Sequence, residues 1–137
     1  MIQVIFGEKG TGKTKRILDL ANSLVGTAKG SMIFIHYDSR YMFDLSHAIR
    51  FINASAYGVD SPKRFYGFLC GLAASDFDLE YIFIDGFLSI IKHELSTLGE
   101  LFAQLEEFGR QHKVTFVLSV SGDPNVLPPF MKHLDVI

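Results

Sequence analysis

The chain has 137 residues, with 13 Lys and Arg against 15 Asp and Glu for a formal net charge of −2, and it lacks the basic footprint that duplex nucleic acid calls for. Hydrophobic residues make up 48% and Phe occurs 13 times, which excludes a disordered chain and suits a single domain over residues 1–137. Cys70 is the one cysteine, so a disulfide framework is excluded and a reducing, cytoplasmic setting is expected.

Met1 to Phe6 reads as a short buried strand, which leaves no room for a signal peptide. Gly7-Glu8-Lys9-Gly10-Thr11-Gly12-Lys13-Thr14 follows and fits the phosphate-loop pattern G-x-x-x-x-G-K-(S/T) in full. Ile17, Leu20, Ala21, Leu24 and Val25 then recur at helical spacing. After a turn at Gly26 to Gly30, Ser31 to His36 reads as the second strand. Met42, Leu45, Ile49 and Ile52 predict a second helix, and Asn53 to Asp60 a loop.

Ser61-Pro62 opens a third helix with proline at its favoured first position and Phe65, Phe68, Leu69 and Leu72 along one face. Leu79 to Ile84 is the third strand, and Gly86 to Ser96 reads equally as a short helix or an apolar loop. Thr97 with Glu100 predicts a capping box for a helix to about His112, its inner face being Leu98, Leu101, Phe102, Leu105 and Phe108. Val114 to Val120 is a fourth strand of the kind buried on both faces. Pro124, Pro128 and Pro129 force a loop, and Leu134 to Ile137 adds a short fifth strand. The alternation predicts a three-layer α/β/α fold around a mostly parallel sheet, and no apolar stretch nears the ~20 residues of a membrane span.

The octad carries the chemistry. Its glycines permit backbone angles closed to other residues, so successive N–H groups can turn inward around a polyphosphate. The helix that begins near Gly12 or Lys13 adds the partial positive charge of its N-terminus. Lys13 brings a full charge to the β- and γ-phosphates, and the Thr14 hydroxyl can ligate Mg²⁺. The candidate nucleotide-binding residues are thus Gly7, Glu8, Lys9, Gly10, Thr11, Gly12, Lys13, Thr14 and Lys15, with Glu8 and Lys9 at the variable positions. Tyr81-Ile82-Phe83-Ile84-Asp85 is an apolar strand ending in an acid, a placement suited to holding Mg²⁺ beside such a loop.

With these two motifs the chain resembles the P-loop NTPases, with Walker A at Gly7 to Thr14 and Walker B at Tyr81 to Asp85. A full strand and helix lie between loop and acid strand, similar to the RecA, KaiC and DnaB-type division, in which one further strand separates the two in the sheet. The resemblance implies a P-loop NTPase fold, ATP with Mg²⁺, and a site completed by a second copy or a partner protein. It implies a catalytic acid at the end of the second strand, where Asp38 falls, with an Asp capping the next element as the plain alternative. It implies a polar γ-phosphate sensor at the end of the fourth strand, where Ser119 and Ser121 stand. Relatives with a Glu directly after the Walker B acid find no match here, because Gly86 occupies that place. No arginine finger is assignable among Arg40, Arg50, Arg64 and Arg110.

Three functions are open at this point. The first is Mg-dependent ATP hydrolysis, with Lys13 stabilising charge and Asp38 orienting water. The second is a nucleotide-binding switch with little turnover, favoured by Gly86. The third is a small-molecule or nucleoside kinase, for which Asp38-Ser39-Arg40 would hold an acceptor hydroxyl. The histidines have no metal-ligand spacing, so zinc is not expected; His36 is read as ending its strand or facing the nucleotide.

Overall fold

A computed structural model describes all of residues 1–137. The strands are β1 (Ile2–Gly7), β2 (Ser31–His36), β3 (Ile49–Asn53), β4 (Leu79–Ile84), β5 (Thr115–Ser121) and β6 (Asp135–Val136). The helices are α1 (Lys13–Ser23), α2 (Pro62–Ser75), α3 (Phe87–Ile91) and α4 (Gly99–His112). All six strands join one sheet in the order β3-β2-β4-β5-β1-β6. Every pairing is parallel, so each connection must cross a face of the sheet.

Helices cover both faces, which is why the central strands read as unbroken apolar runs. Alternate side chains go to opposite sides. Met32, Phe34, Phe83, Val117 and Ile5 pack with Ile17, Leu18 and Ala21 of α1. Ile33, Ile35, Ile82, Ile84, Phe116 and Leu118 pack with α2, α3 and α4. On that second side an aromatic chain runs from Phe65 to Phe87 to Phe102, with centroids 5.9 and 5.5 Å apart. Each such fully buried ring stabilises the layer by about 1.5–3 kcal/mol over its exposed state.

The helix ends follow local chemistry. The Ser61 hydroxyl accepts from Arg64 N at 3.2 Å with Pro62 in the first turn, as the sequence predicts. The capping box at Thr97 and Glu100 does not form. Thr97 belongs to a 3₁₀ turn, Leu95–Thr97, and its hydroxyl donates to Glu94 O at 2.7 Å, so α4 starts from Leu98 without a side-chain cap. The ambiguous stretch after β4 resolves into the short helix α3.

The predicted helix through Met42, Leu45, Ile49 and Ile52 is replaced by a 3₁₀ turn at Met42–Asp44 and by β3. The spacing misleads because Ile49 and Ile52, three apart on a strand, serve opposite faces: Ile49 joins the α1 side and Ile52 the other. Met42 is exposed. Asn22 of α1 holds the connection open, donating to Asp44 O at 3.0 Å and accepting from Ser46 N at 2.8 Å. No helix is long and apolar enough to cross a membrane.

Candidate functional site

The alternation that sorts the core also builds the site. His36, Asp85 and Ser119 lie two residues beyond Phe34, Phe83 and Val117, so they inherit the face of the sheet that α1 covers. All three are buried, at 1%, 1% and 2% exposure. They meet at the C-terminal ends of β2, β4 and β5, where ligands of open parallel sheets bind. β5 separates β1 from β4, the strand arrangement that the sequence resemblance implies.

Above them stands the loop. Gly10 and Gly12 have φ of 81° and 84°, the left-handed region that glycine enters without strain. The backbone N–H groups of residues 8–14 donate to no acceptor within the protein, while the carbonyl of Glu8 takes the Thr11 hydroxyl at 2.7 Å and the Lys13 ammonium at 2.8 Å. The loop's own side chains therefore engage a carbonyl and leave its amides available. These amides and the start of α1 form an electropositive concavity. Desolvation lowers the pKa of Lys13, opposed by the charge of Asp85 and assisted by that of Lys9.

Asp85 is gripped from α1, β2 and β5. Its Oδ2 accepts from the Thr14 hydroxyl at 2.9 Å and lies 3.3 Å from His36 Nε2, while its Oδ1 accepts from the Ser119 hydroxyl. Ser119 Oγ in turn accepts from Gly86 N at 2.8 Å. Burial alone would push the Asp85 carboxyl up, but the bonds from His36, Ser119 and Thr14 outweigh it and hold it below its ordinary value. Because Thr14 donates its proton to Asp85, the lone pairs of its oxygen remain for a cation.

A pocket of about 340 Å³ joins the two parts. Lys9, Gly10, Gly12, Lys13 and Thr14 line one side, and His36, Tyr37, Tyr41, Asp85, Ser119 and Ser121 the other. The oxygen donors at Thr14 and Asp85 are of the hard type Mg²⁺ takes together with phosphate oxygens, so the residues present fit a Mg-nucleotide. No three His, Cys, Asp or Glu side chains converge on one metal position.

Other candidates from the sequence sit elsewhere. Lys15 turns its ammonium to Asp19 at 2.7 Å on the outer surface of α1. Asp38 is not on the pocket wall. Its Oδ1 accepts from Arg40 N at 3.0 Å and its Oδ2 from Arg40 Nε at 2.8 Å, so it caps its own turn and pairs with the arginine. Burial raises the Asp38 pKa, and the bonds from Arg40 outweigh that effect to leave it lowered. Ser121 remains on the wall, whereas the Ser119 hydroxyl is engaged by Asp85 and Gly86.

Gly86 has φ of 68°, and a Cβ there would lie 2.8 Å from the Tyr37 ring. A glutamate at this position is thus disfavoured twice, by backbone strain and by the Tyr37 ring. Tyr37 and Tyr41 went unnoticed in the sequence. Their only signal is proximity to the end of the second strand, where aromatic side chains have no motif spacing.

Neither a protein-family model nor a curated protein matches the chain. Among solved structures it is similar to the flagellar accessory protein FlaH from Methanocaldococcus jannaschii, with a TM-score of 0.59 and 14% identity over 93% of this chain. The chain spans 63% of FlaH's length. At that identity the likeness is one of fold, and it agrees with the parallel α/β sheet described above.

Proposed function

We propose that the chain binds ATP as its Mg²⁺ complex in the loop of residues 7–14 and is the core of a RecA-like ATPase. The observation that carries this reading is the 2.9 Å bond between Thr14 and Asp85, which joins the start of α1 to the end of the acid-bearing strand beside uncommitted loop amides. In this reading the amides and Lys13 hold the phosphates, and Thr14 holds the ion with Asp85 behind it. Mg²⁺, when bound, supplies charge neutralisation on the phosphate oxygens. Lys13 carries further positive charge to the γ-phosphate, and the helix N-terminus favours the accumulating negative charge there.

A specific observation favours slow turnover. Tyr37 occupies the space where an acid after Asp85 would stand, and Asp38 is held by Arg40 away from the pocket wall. The second reading is therefore a nucleotide-dependent switch that hydrolyses only when a second copy or another protein completes the site. Calorimetry with MgATP tests binding, and single-turnover hydrolysis over a range of protein concentrations tests completion. Binding without turnover at any concentration leaves the switch; absence of binding removes both readings.

A further inference from the structure

His36 is a buried imidazole in the pocket wall, in contact with Asp85 but outside the loop and the two oxygen donors suited to Mg²⁺. We propose that His36 is a positioning residue that holds the Asp85 carboxylate toward Thr14 and the Mg²⁺ ion of a bound Mg-nucleotide. The inference rests on the reading of the site as a Mg-nucleotide pocket.

The ring's hydrogen bonds settle what it does. Asp38 N lies 3.1 Å and Asp38 Oδ1 3.2 Å from His36 Nδ1, so Asp38 engages that nitrogen, while Nε2 faces only the Asp85 carboxylate, which can only accept, and therefore carries a proton. Nε2 faces Asp85 Oδ2 at 3.3 Å and donates to it. Neither nitrogen then offers a lone pair to the pocket, which makes the ring a donor to Asp85 and not a base toward water. Tyr37 stacks on the imidazole with centroids 4.2 Å apart, and Tyr41 meets it edge-on at 5.2 Å, so the ring cannot swing away.

With Ser119 on Oδ1 and His36 on Oδ2, the carboxylate is fixed at both oxygens. The plane that results sets the acceptor for the Thr14 proton, and through it the direction of the Thr14 lone pairs. Removing the Nε2–H leaves Oδ2 held only by the Thr14 hydroxyl, the group that the carboxylate is to orient, and so loosens the carboxylate at that oxygen. A residue that acts on a metal through its ligands in this way is typically worth 10–100-fold in metal affinity.

The test is calorimetric titration of ATP into the full chain, with Mg²⁺ and with EDTA, for wild type, His36→Leu and His36→Gln. The expected result is that His36→Leu loses about tenfold or more of the affinity that Mg²⁺ adds, a larger loss than any it shows in EDTA. His36→Gln, which keeps an N–H donor, recovers most of the loss. A His36→Leu chain with the wild-type response to Mg²⁺, an equal loss with and without the ion, or a His36→Gln chain no better than His36→Leu overturns the proposal.

Should His36→Leu fail to fold, ¹⁵N NMR of the wild-type ring at neutral pH decides: a proton on Nε2 is expected, and an Nε2 without one overturns the proposal. A wild-type chain that binds no nucleotide under either condition instead removes the reading of the pocket itself, and the ring spectrum still reports separately on the contact to Asp85.

Discussion

The loop of residues 8–14 and the segment of residues 36–41 face each other across Asp85 and treat their polar groups in opposite ways. On the loop side, consecutive backbone N–H groups have no protein acceptor and two lysines stand nearby. On the other side, His36, Asp38 and Arg40 are joined to one another and to Asp85 by contacts of 2.8 to 3.3 Å. No buried side-chain nitrogen or oxygen in the protein lacks a partner. A flank with unused donors is prepared to take up an anion, while a flank with satisfied donors keeps a carboxylate still. The contrast supports the proposal that the site holds a nucleotide and turns it over slowly.

The contrast breaks most severely at Lys13. Lys13→Ala is expected to weaken MgATP binding by about 2–5 kcal/mol, roughly thirtyfold or more, with the thermal transition of the free protein unchanged. Calorimetry alongside a melting curve checks both halves. Next comes Gly86→Ala, which places a Cβ at positive φ and against the Tyr37 ring. It is expected to cost about 1–3 kcal/mol in a urea titration. Pairing it with Tyr37→Ala should recover the part due to the ring, as a double-mutant cycle reads out.

Asp85 sharpens the comparison through pH. Its folded pKa is lowered from an ordinary value of 3.8, so its stabilisation is present above that value and is lost as pH falls through the folded pKa. Wild type should therefore lose stability below about pH 4, and Asp85→Asn should show a flatter profile there. Equal acid slopes for the two proteins would mean that the carboxylate is not held as described. The smallest effect is expected at Asp38→Asn, a half-buried acid paired with the exposed Arg40, which should alter MgATP affinity by less than about threefold. If it abolished turnover in a chain that otherwise hydrolyses ATP, Asp38 would have to move into the pocket on binding.

Much of the fold was legible because burial on both faces leaves a direct mark on sequence. Phe34, Phe83 and Val117 sit within short apolar runs rich in β-branched and aromatic residues, which favours inner strands. The stretch from Met42 to Ile52 was not legible, since a three-residue spacing fits a helix face and equally fits a strand that sends Ile49 and Ile52 to opposite layers. Thr97 and Glu100 match a capping pattern, yet the preceding 3₁₀ turn directs the threonine to Glu94. In the site, the octad stands out because one continuous stretch of backbone makes the concavity. His36 and Ser119 do not, because their role depends on three strands set side by side in register, which local pattern does not encode.

The claim beneath all of this is that the N–H groups of residues 8–14 receive the phosphates. A ¹H–¹⁵N correlation spectrum recorded during titration with MgATP tests it most directly. The largest shifts are expected on the amides from Glu8 to Thr14, and in Lys13→Ala they should need roughly thirtyfold or more MgATP to develop. Loop amides that stay in place while residues elsewhere respond would contradict it.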